Sequence, residues 1–142
     1  MIDDASVDET VDGILVQLPI KGATKEETEQ ILCTIKPEKD VDGLNPKSKF
    51  IPAAVRAVER VMEIFNVDQE QAMAVVGALG WVGKRLVERL MKLGYQVTGF
   101  DKGDDLRELS KFDVVVGSAG FEGLIIGEMV KQGFVGIDLG YP

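Results

Sequence analysis

Three regularly spaced glycines, Gly77, Gly80 and Gly83, have the clearest chemical signature in the sequence. They follow an apolar run typical of a strand and precede an apolar pattern typical of a helix. Gly77 permits a tight turn, Gly80 lets backbone amides approach a pyrophosphate at the positive helix terminus, and Gly83 lets the helix pack closely on the strand. Because an acid, Asp101, follows at the end of the next predicted strand, the pattern predicts a dinucleotide-binding turn.

The predicted cofactor contacts come from this turn and from the end of the second strand. They are Gly77, Ala78, Leu79, Gly80, Trp81, Val82, Gly83, Asp101 and Lys102. Asp101 is suited to hold the ribose hydroxyls and to repel a ribose phosphate, which favours NAD, whereas Lys102 is suited to receive that phosphate. The alternatives are a glycine turn without a ligand and an aspartate that serves only its own turn. Trp81 either stacks on the cofactor or shields the helix start.

Composition restricts the chemistry that is available to the chain. It has no histidine and one cysteine, Cys33, which excludes an internal disulfide, thiolate–imidazole metal sites and histidine acid–base catalysis. Catalysis must therefore use carboxylates, lysines, amides or a bound cofactor. We assign no metal, because acidic pairs such as Asp104 and Asp105 are usually just solvated.

Charge and hydropathy exclude several classes of partner. A formal net charge of −8, from 24 acidic and 16 basic residues, argues against nucleic acid and anionic membranes. The acidic stretch Met1–Val11 has neither a secretory nor a transit pattern. No apolar run approaches the roughly 20 residues that span a bilayer. We expect a cytoplasmic protein.

The elements that must position these residues alternate between strand and helix, which predicts an α/β fold with a four-stranded parallel sheet. In the first part, a strand is expected at Gly13–Leu18, then a helix that begins with the capping pair Thr24 and Glu27, and then a loop at Lys36–Lys49. The remaining expected elements are a helix over 51–65, strands at 72–76, 95–100, 112–116 and 134–138, and a short helix near 128–131. Inward-facing positions are expected to include Phe65, Met91 and Cys33.

Four segments in order carry a resemblance to a known family. They are DGILVQLP at 12–19, IKPEKDVDG at 35–43, VVG at 75–77 with VGK at 82–84, and GIDLG at 136–140. The chain resembles the methylenetetrahydrofolate dehydrogenase/cyclohydrolase family. The resemblance implies a two-lobed enzyme with folate between the lobes and NAD(P) on a Rossmann-type lobe. Hydride would pass from the folate methylene bridge to nicotinamide, and water would then open the methenyl product.

The resemblance also implies an organisation and a set of folate-side residues. Residues 1–50 would be a truncated remnant of the folate-binding α/β lobe, 51–66 a bridging helix, and 67–142 the Rossmann domain. Gln17 would hydrogen-bond the catalytic lysine, and Asp42 would hold the pterin ring. A homodimer formed through the edge of the Rossmann sheet is implied in the same way.

Departures from the family pattern affect both sides of the implied site. The family's catalytic lysine and a tyrosine lie before the DGILVQLP segment, yet neither residue type occurs among the sixteen residues before Gln17. The chain reaches Pro142 without the family's closing segment. Ala78 and Leu79 replace an arginine and a serine, which removes a phosphate partner and favours NAD over NADP.

Three interpretations follow. The first is a shortened enzyme that needs another polypeptide, a dimer mate, or Lys21 or Lys47 to supply the base. The second is a non-catalytic dinucleotide-binding homologue that acts as a subunit or sensor. The third, an extended short-chain reductase or epimerase, fails because no Tyr-x-x-x-Lys pair follows the turn. We expect a member of the folate family without independent turnover.

Overall fold

The computed structural model describes residues 2–140, and the chain divides into two compact units, Met1–Ala53 and Ala54–Pro142. The α-helices are α1 (Ile2–Val7), α2 (Lys25–Thr34), α3 (Ala53–Ile64) and α4 (Trp81–Lys92). The strands are β1 (Met73–Val76), β2 (Val97–Phe100), β3 (Val114–Gly117) and β4 (Val135–Asp138). Short 3₁₀ helices occupy Leu106–Lys111 and Gly127–Met129.

The second unit contains one parallel four-stranded sheet in the order β2-β1-β3-β4, which confirms the predicted α/β class. All four residues of β1 and the first three of β3 are buried. A strand that is covered on both faces reads as a continuous apolar run, and this is why the sequence pattern identified both strands. The edge strand β4 alternates half-buried or buried residues with exposed ones, whereas the two middle residues of β2, Thr98 and Gly99, are both exposed.

The two long helices of this unit are amphipathic, and each buries one stripe. Helix α3 buries Val55, Val58 and Met62, and helix α4 buries Gly83, Leu86 and Leu90. An ion pair links the helices, with Nε of Arg89 donating to Oε1 of Glu59 at 2.6 Å.

Two residues that were predicted to face inward do not. Phe65 is 62% exposed, because α3 ends at Ile64 and the chain turns at Asn66, whose φ is +52°, so that Val67 takes the buried position. Met91 is 60% exposed, since it lies one residue past Leu90 and therefore off the buried stripe.

The first unit departs further from the prediction. The prediction of a strand at Gly13–Leu18 is wrong. The segment makes one parallel bridge, between Ile14 and Asp40, and Leu15 is 60% exposed. An apolar run becomes a strand only where a neighbouring strand completes its hydrogen bonds, and within residues 2–53 this bridge is the only such pairing. Cys33 is exposed, because α2 turns Leu32 and not Cys33 inward.

Helix α2 begins as predicted. The hydroxyl of Thr24 accepts from the amide of Glu27 at 3.2 Å, and the Glu27 carboxylate accepts from the amide of Thr24 at 2.7 Å. This reciprocal capping box satisfies two N–H groups that a helix start otherwise leaves unpaired.

Candidate functional site

The carboxyl ends of the four parallel strands form one edge of the sheet. The register pairs Val76 with both Phe100 and Gly117, and Gly117 with Asp138, so the strands end side by side. Ligands of open parallel sheets bind outside this edge, where the loops diverge. The glycine turn follows β1, near the middle of the edge.

The surroundings of the glycine turn leave no room for a side chain at two of its glycines. Gly77 has a φ of +86°, and a Cβ there would lie 3.0 Å from the Oγ of Ser118. A Cβ on Gly83 would lie 2.1 Å from the carbonyl oxygen of Gly77. A side chain at Gly77 would collide with the loop after β3, and one at Gly83 would push helix α4 away from the turn, so both positions require glycine.

The backbone amides of the turn divide into two groups. The amides of Gly77 and Ala78 donate to the carbonyl of Phe100, at 2.8 and 3.2 Å, and the amide of Gly80 donates to that of Gly77 at 3.0 Å. Gly80 is the N-cap of α4 and supplies no capping side chain. The first-turn N–H groups of α4, those of Trp81, Val82 and Gly83, are therefore the ones placed to hold an anion.

Asp101 lies directly after β2 and contacts the turn. Its Oδ2 accepts from the amide of Leu79 at 2.6 Å, and its own amide donates to Oδ2 of Asp104 at 2.7 Å. The first contact holds the carboxylate beside the glycine turn, and the second holds the backbone of Asp101 in its own turn. Lys102, the next residue, is exposed.

A cavity of about 500 Å³ lies at the ends of β1, β3 and β4, and sequence reasoning did not identify it as part of the site. It is lined by Val76, Val115, Gly117, Ala119, Gly120, Phe121, Glu122, Gly123, Leu124, Ile125, Phe134, Gly136, Ile137, Asp138 and Gly140. Mostly apolar walls with a few polar groups are typical of small-molecule sites. The sequence offered one signal that could have indicated this cavity: glycines occur in both segments that follow β3 and β4.

Asp138, the last residue of β4, organises one wall of this cavity. Its Oδ1 accepts from the amide of Gly140 at 2.8 Å, and a Cβ on Gly117 would lie 3.4 Å from the same oxygen. A carboxylate oxygen carries more than one lone pair, so Asp138 can also accept from a ligand N–H group.

The two folate-side candidates lie in the first unit. Gln17 is exposed, and its Nε2 donates to the carbonyl of Leu18 at 3.0 Å. Asp42 is half-buried, and both burial and the nearby Asp40 carboxylate raise its pKa. Asp40 is 1% exposed and builds the turn that carries Asp42, because its oxygens accept from the amides of Gly43 and Asn45 at 3.1 and 2.8 Å.

Residues 2–140 contain neither a candidate metal site nor a candidate membrane span. No group of three or more acidic or cysteine side chains in this part of the chain is arranged to hold a metal ion. None of its helices combines the length and apolar character needed to cross a membrane.

Comparison with known proteins decides the family. A family model described as the NAD(P)-binding domain of tetrahydrofolate dehydrogenase/cyclohydrolase matches residues 52–142. The chain belongs to the tetrahydrofolate dehydrogenase/cyclohydrolase family. This confirms the resemblance that was read from the sequence motifs.

Curated relatives in this family match almost the entire chain. The bifunctional protein FolD of Mycoplasmopsis synoviae is 33% identical over 94% of this chain and 52% of its own length. The bifunctional protein FolD 2 of Lactobacillus johnsonii is 33% identical over 98% of this chain and 53% of its own length. The chain thus spans about half the length of these family members.

Solved structures of the family share the fold. The bifunctional dehydrogenase/cyclohydrolase of Thermoplasma acidophilum superposes with a TM-score of 0.83 at 29% identity, over 98% of this chain and 54% of that one. The Trypanosoma brucei enzyme, solved with NADP cofactor and an inhibitor, gives 0.82 at 27% identity, over 98% and 52%.

Proposed function

We propose that the second unit binds NAD across the carboxyl edge of its sheet. The observation that carries the proposal is the glycine turn: Gly77 and Gly83 pack too closely for a side chain, and Gly80 leaves the first turn of α4 without a capping side chain, so that its amides are placed to hold a pyrophosphate. In this arrangement Asp101 holds the adenosine ribose on one side of the turn. The cavity beside Asp138 receives the nicotinamide ring on the other.

The preference for NAD over NADP rests on charge at the ribose end. Asp101 and Asp104 place two carboxylates at the end of β2, and the Leu79 amide fixes the first of them. A 2′-phosphate would meet this negative charge at close range, whereas two ribose hydroxyls can donate to it. Ala78 and Leu79 add no cation, and the two carboxylates outnumber the single positive charge of the exposed Lys102.

For the complete reaction, we propose the activity of the family: oxidation of methylenetetrahydrofolate followed by hydrolysis of the methenyl product. The bound nicotinamide cofactor would supply the hydride acceptor. On the folate side, Asp42 would accept paired N–H donors from the pterin, and Gln17 would steer a lysine that acts as the base. We further propose that the protein is cytoplasmic and that it forms a homodimer. Sedimentation velocity tests the homodimer through the mass of the sedimenting species.

A second candidate is a dinucleotide-binding subunit or sensor without turnover. The observation that favours it is the side chain of Gln17: its Nε2 donates to the carbonyl of its neighbour Leu18, and within residues 2–140 no lysine donates to its Oε1. A general base must come within hydrogen-bonding distance of the group it serves, and this contact does not provide one.

Calorimetric titration followed by a turnover assay separates the two candidates. We expect the purified 142-residue chain to bind NAD more tightly than NADP. After methylenetetrahydrofolate is added, absorbance of reduced nicotinamide reports dehydrogenase activity. Binding without turnover supports the subunit or sensor. Turnover supports the enzyme, and its loss in either Lys21→Met or Lys47→Met identifies the lysine that acts as the base. If neither cofactor binds, the proposed function is wrong.

A further inference from the structure

The cavity at the ends of β3 and β4 combines negative charge with an exposed aromatic ring. Glu122 and Asp138 both line it, and its described lining residues include no lysine or arginine. Phe121, also in the lining, is 77% exposed and therefore lies at the rim. Gly120 and Gly123 adopt left-handed φ values of +65° and +68°, so the chain bends on both sides of Phe121 and Glu122.

This combination matches one redox form of a nicotinamide ring. The oxidised ring is a planar cation, whereas the reduced ring is neutral. A carboxylate attracts the cation but not the neutral ring, and because Glu122 and Asp138 are both exposed, water and salt screen this attraction. The face of a phenylalanine ring attracts a cation by its quadrupole, by about 0.5–1 kcal/mol at exposed sites. Neither effect acts on the reduced ring to the same extent.

We propose that Phe121 stacks on the nicotinamide ring and that, together with Glu122, it favours the oxidised over the reduced cofactor. The inference rests on the proposed function, since it takes the dinucleotide to lie across the sheet edge with nicotinamide in this cavity. Phe134 also lines the cavity and packs against Gly136 and against the buried cluster of the sheet, which consists of Ala74, Val76, Phe100, Leu109 and Val115. Phe121 is the aromatic side chain at the open side.

Titration with three ligands isolates the role of the ring. NAD and NADH differ in the charge of the nicotinamide, and ADP-ribose lacks it altogether. The variant Phe121→Leu keeps apolar bulk at the rim but removes the aromatic face. Glu122→Gln removes charge with little change in shape. Phe65→Leu is the matched control, because Phe65 is similarly exposed in the same unit but does not line the cavity.

We expect Phe121→Leu to raise the Kd for NAD by about two- to fivefold, the loss that corresponds to a cation–π contact. The same change should alter the Kd for NADH by less than about half that factor and leave ADP-ribose unchanged. Glu122→Gln should also weaken NAD selectively, and Phe65→Leu should change none of the three constants.

Two results overturn the inference while leaving the proposed function intact. One is an equal change for NAD and NADH in Phe121→Leu, which would mean that the ring provides only apolar contact. The other is an equal change for ADP-ribose, which would mean that the substitution disturbs the loop as a whole. If the unaltered chain binds none of the three ligands, the proposed function and this inference are both wrong.

Discussion

At the scale of single residues, Asp101 is the proposed determinant of cofactor choice. Asp101→Asn keeps an oxygen that can accept from the Leu79 amide but removes the negative charge. We expect NAD to bind about fivefold more weakly and NADP to bind more tightly, so that the ratio of the two dissociation constants changes by roughly tenfold. Calorimetry with both cofactors at one fixed ionic strength measures this ratio.

Asp105→Asn is the matched control for that prediction. Asp105 lies in the same segment, but its carboxylate accepts from the Arg107 side chain and amide, which lowers its pKa to about 2. Asparagine still caps the following 3₁₀ helix. A shift in the NAD to NADP ratio as large as that of Asp101→Asn would show that general charge, and not the position of Asp101, sets the preference.

The residues of the site differ in how far the sequence could predict them. Gly83 and Asp101 follow from local spacing, because a strand, a turn and a helix in succession fix where each must lie. Phe121 and Asp138 are distant in sequence from the glycine turn, and they join the site only because β3 lies between β1 and β4. That strand order is set by packing of the whole sheet, so no local pattern reveals it.

At the scale of elements, contact between α4 and β1 depends on the missing side chain of Gly83. Replacing a helical glycine with alanine normally stabilises a helix by up to about 1 kcal/mol. In Gly83→Ala, the overlap of the new Cβ with the Gly77 carbonyl outweighs that gain, and we expect a net loss of about 1–3 kcal/mol. We also expect NAD affinity to fall at least about tenfold, because the helix start moves.

Gly127→Ala provides the comparison for Gly83→Ala, since a Cβ at Gly127 would meet no atom within 4 Å. Its free energy of unfolding in urea should change by no more than about 0.5 kcal/mol. A Gly83→Ala chain that is as stable as Gly127→Ala, and that binds NAD normally, would contradict the close packing described for the turn.

A second prediction at this scale concerns the other ends of β1 and β3. The carboxylate of Asp113 accepts from Nζ of Lys131 at 2.6 Å and from the amide of Ala72 at 2.9 Å, and these hydrogen bonds lower its pKa below 3.8. Because the pKa is lower in the folded state, the stabilisation is complete above the unfolded value and is lost as pH falls through the folded one.

Urea unfolding at pH 7, 5 and 3 tests this linkage with the variant Asp113→Asn. The variant should be less stable by about 1 kcal/mol at pH 7 and pH 5, a modest figure because the ion pair is partly exposed. The difference should shrink at pH 3. Glu70→Gln, an exposed substitution, should show no such dependence. A difference that stays constant down to pH 3 would exclude the ionised Asp113 as its source.

Local sequence patterns explain which strands and helices were predicted correctly. Strands β1 and β3 were identified because each is apolar throughout, and α2 because its capping box is local. The expected strand at 13–18 has an equally apolar pattern but meets only the one bridge from Ile14. Whether an apolar run becomes a strand depends on a partner, which the run itself does not encode.

At the scale of the whole molecule, local sequence patterns predict the elements of the second unit better than those of the first. The second unit repeats strand, turn and helix signals that determine most of its sheet, and the family model matches residues 52–142. The first unit contains helices and a turn built on the buried Asp40, with no sheet among its described residues. The geometry of the second unit therefore supports the proposed binding of a cofactor directly. The proposed folate chemistry rests mainly on membership of the family.

The proposal that NAD binds at the carboxyl edge of the sheet can be tested by NMR. Amide chemical shifts of the ¹⁵N-labelled chain are followed during titration with NAD. We expect the largest changes at Gly77–Gly83 and Asp101, and at Gly117–Gly123 beside the cavity at the ends of β1, β3 and β4. Amides at the opposite ends of the strands, such as those of Met73 and Val114, should hardly move. Two results at saturating NAD would contradict binding at this edge: unchanged amide shifts in the glycine turn, or changes confined to amides elsewhere in the chain.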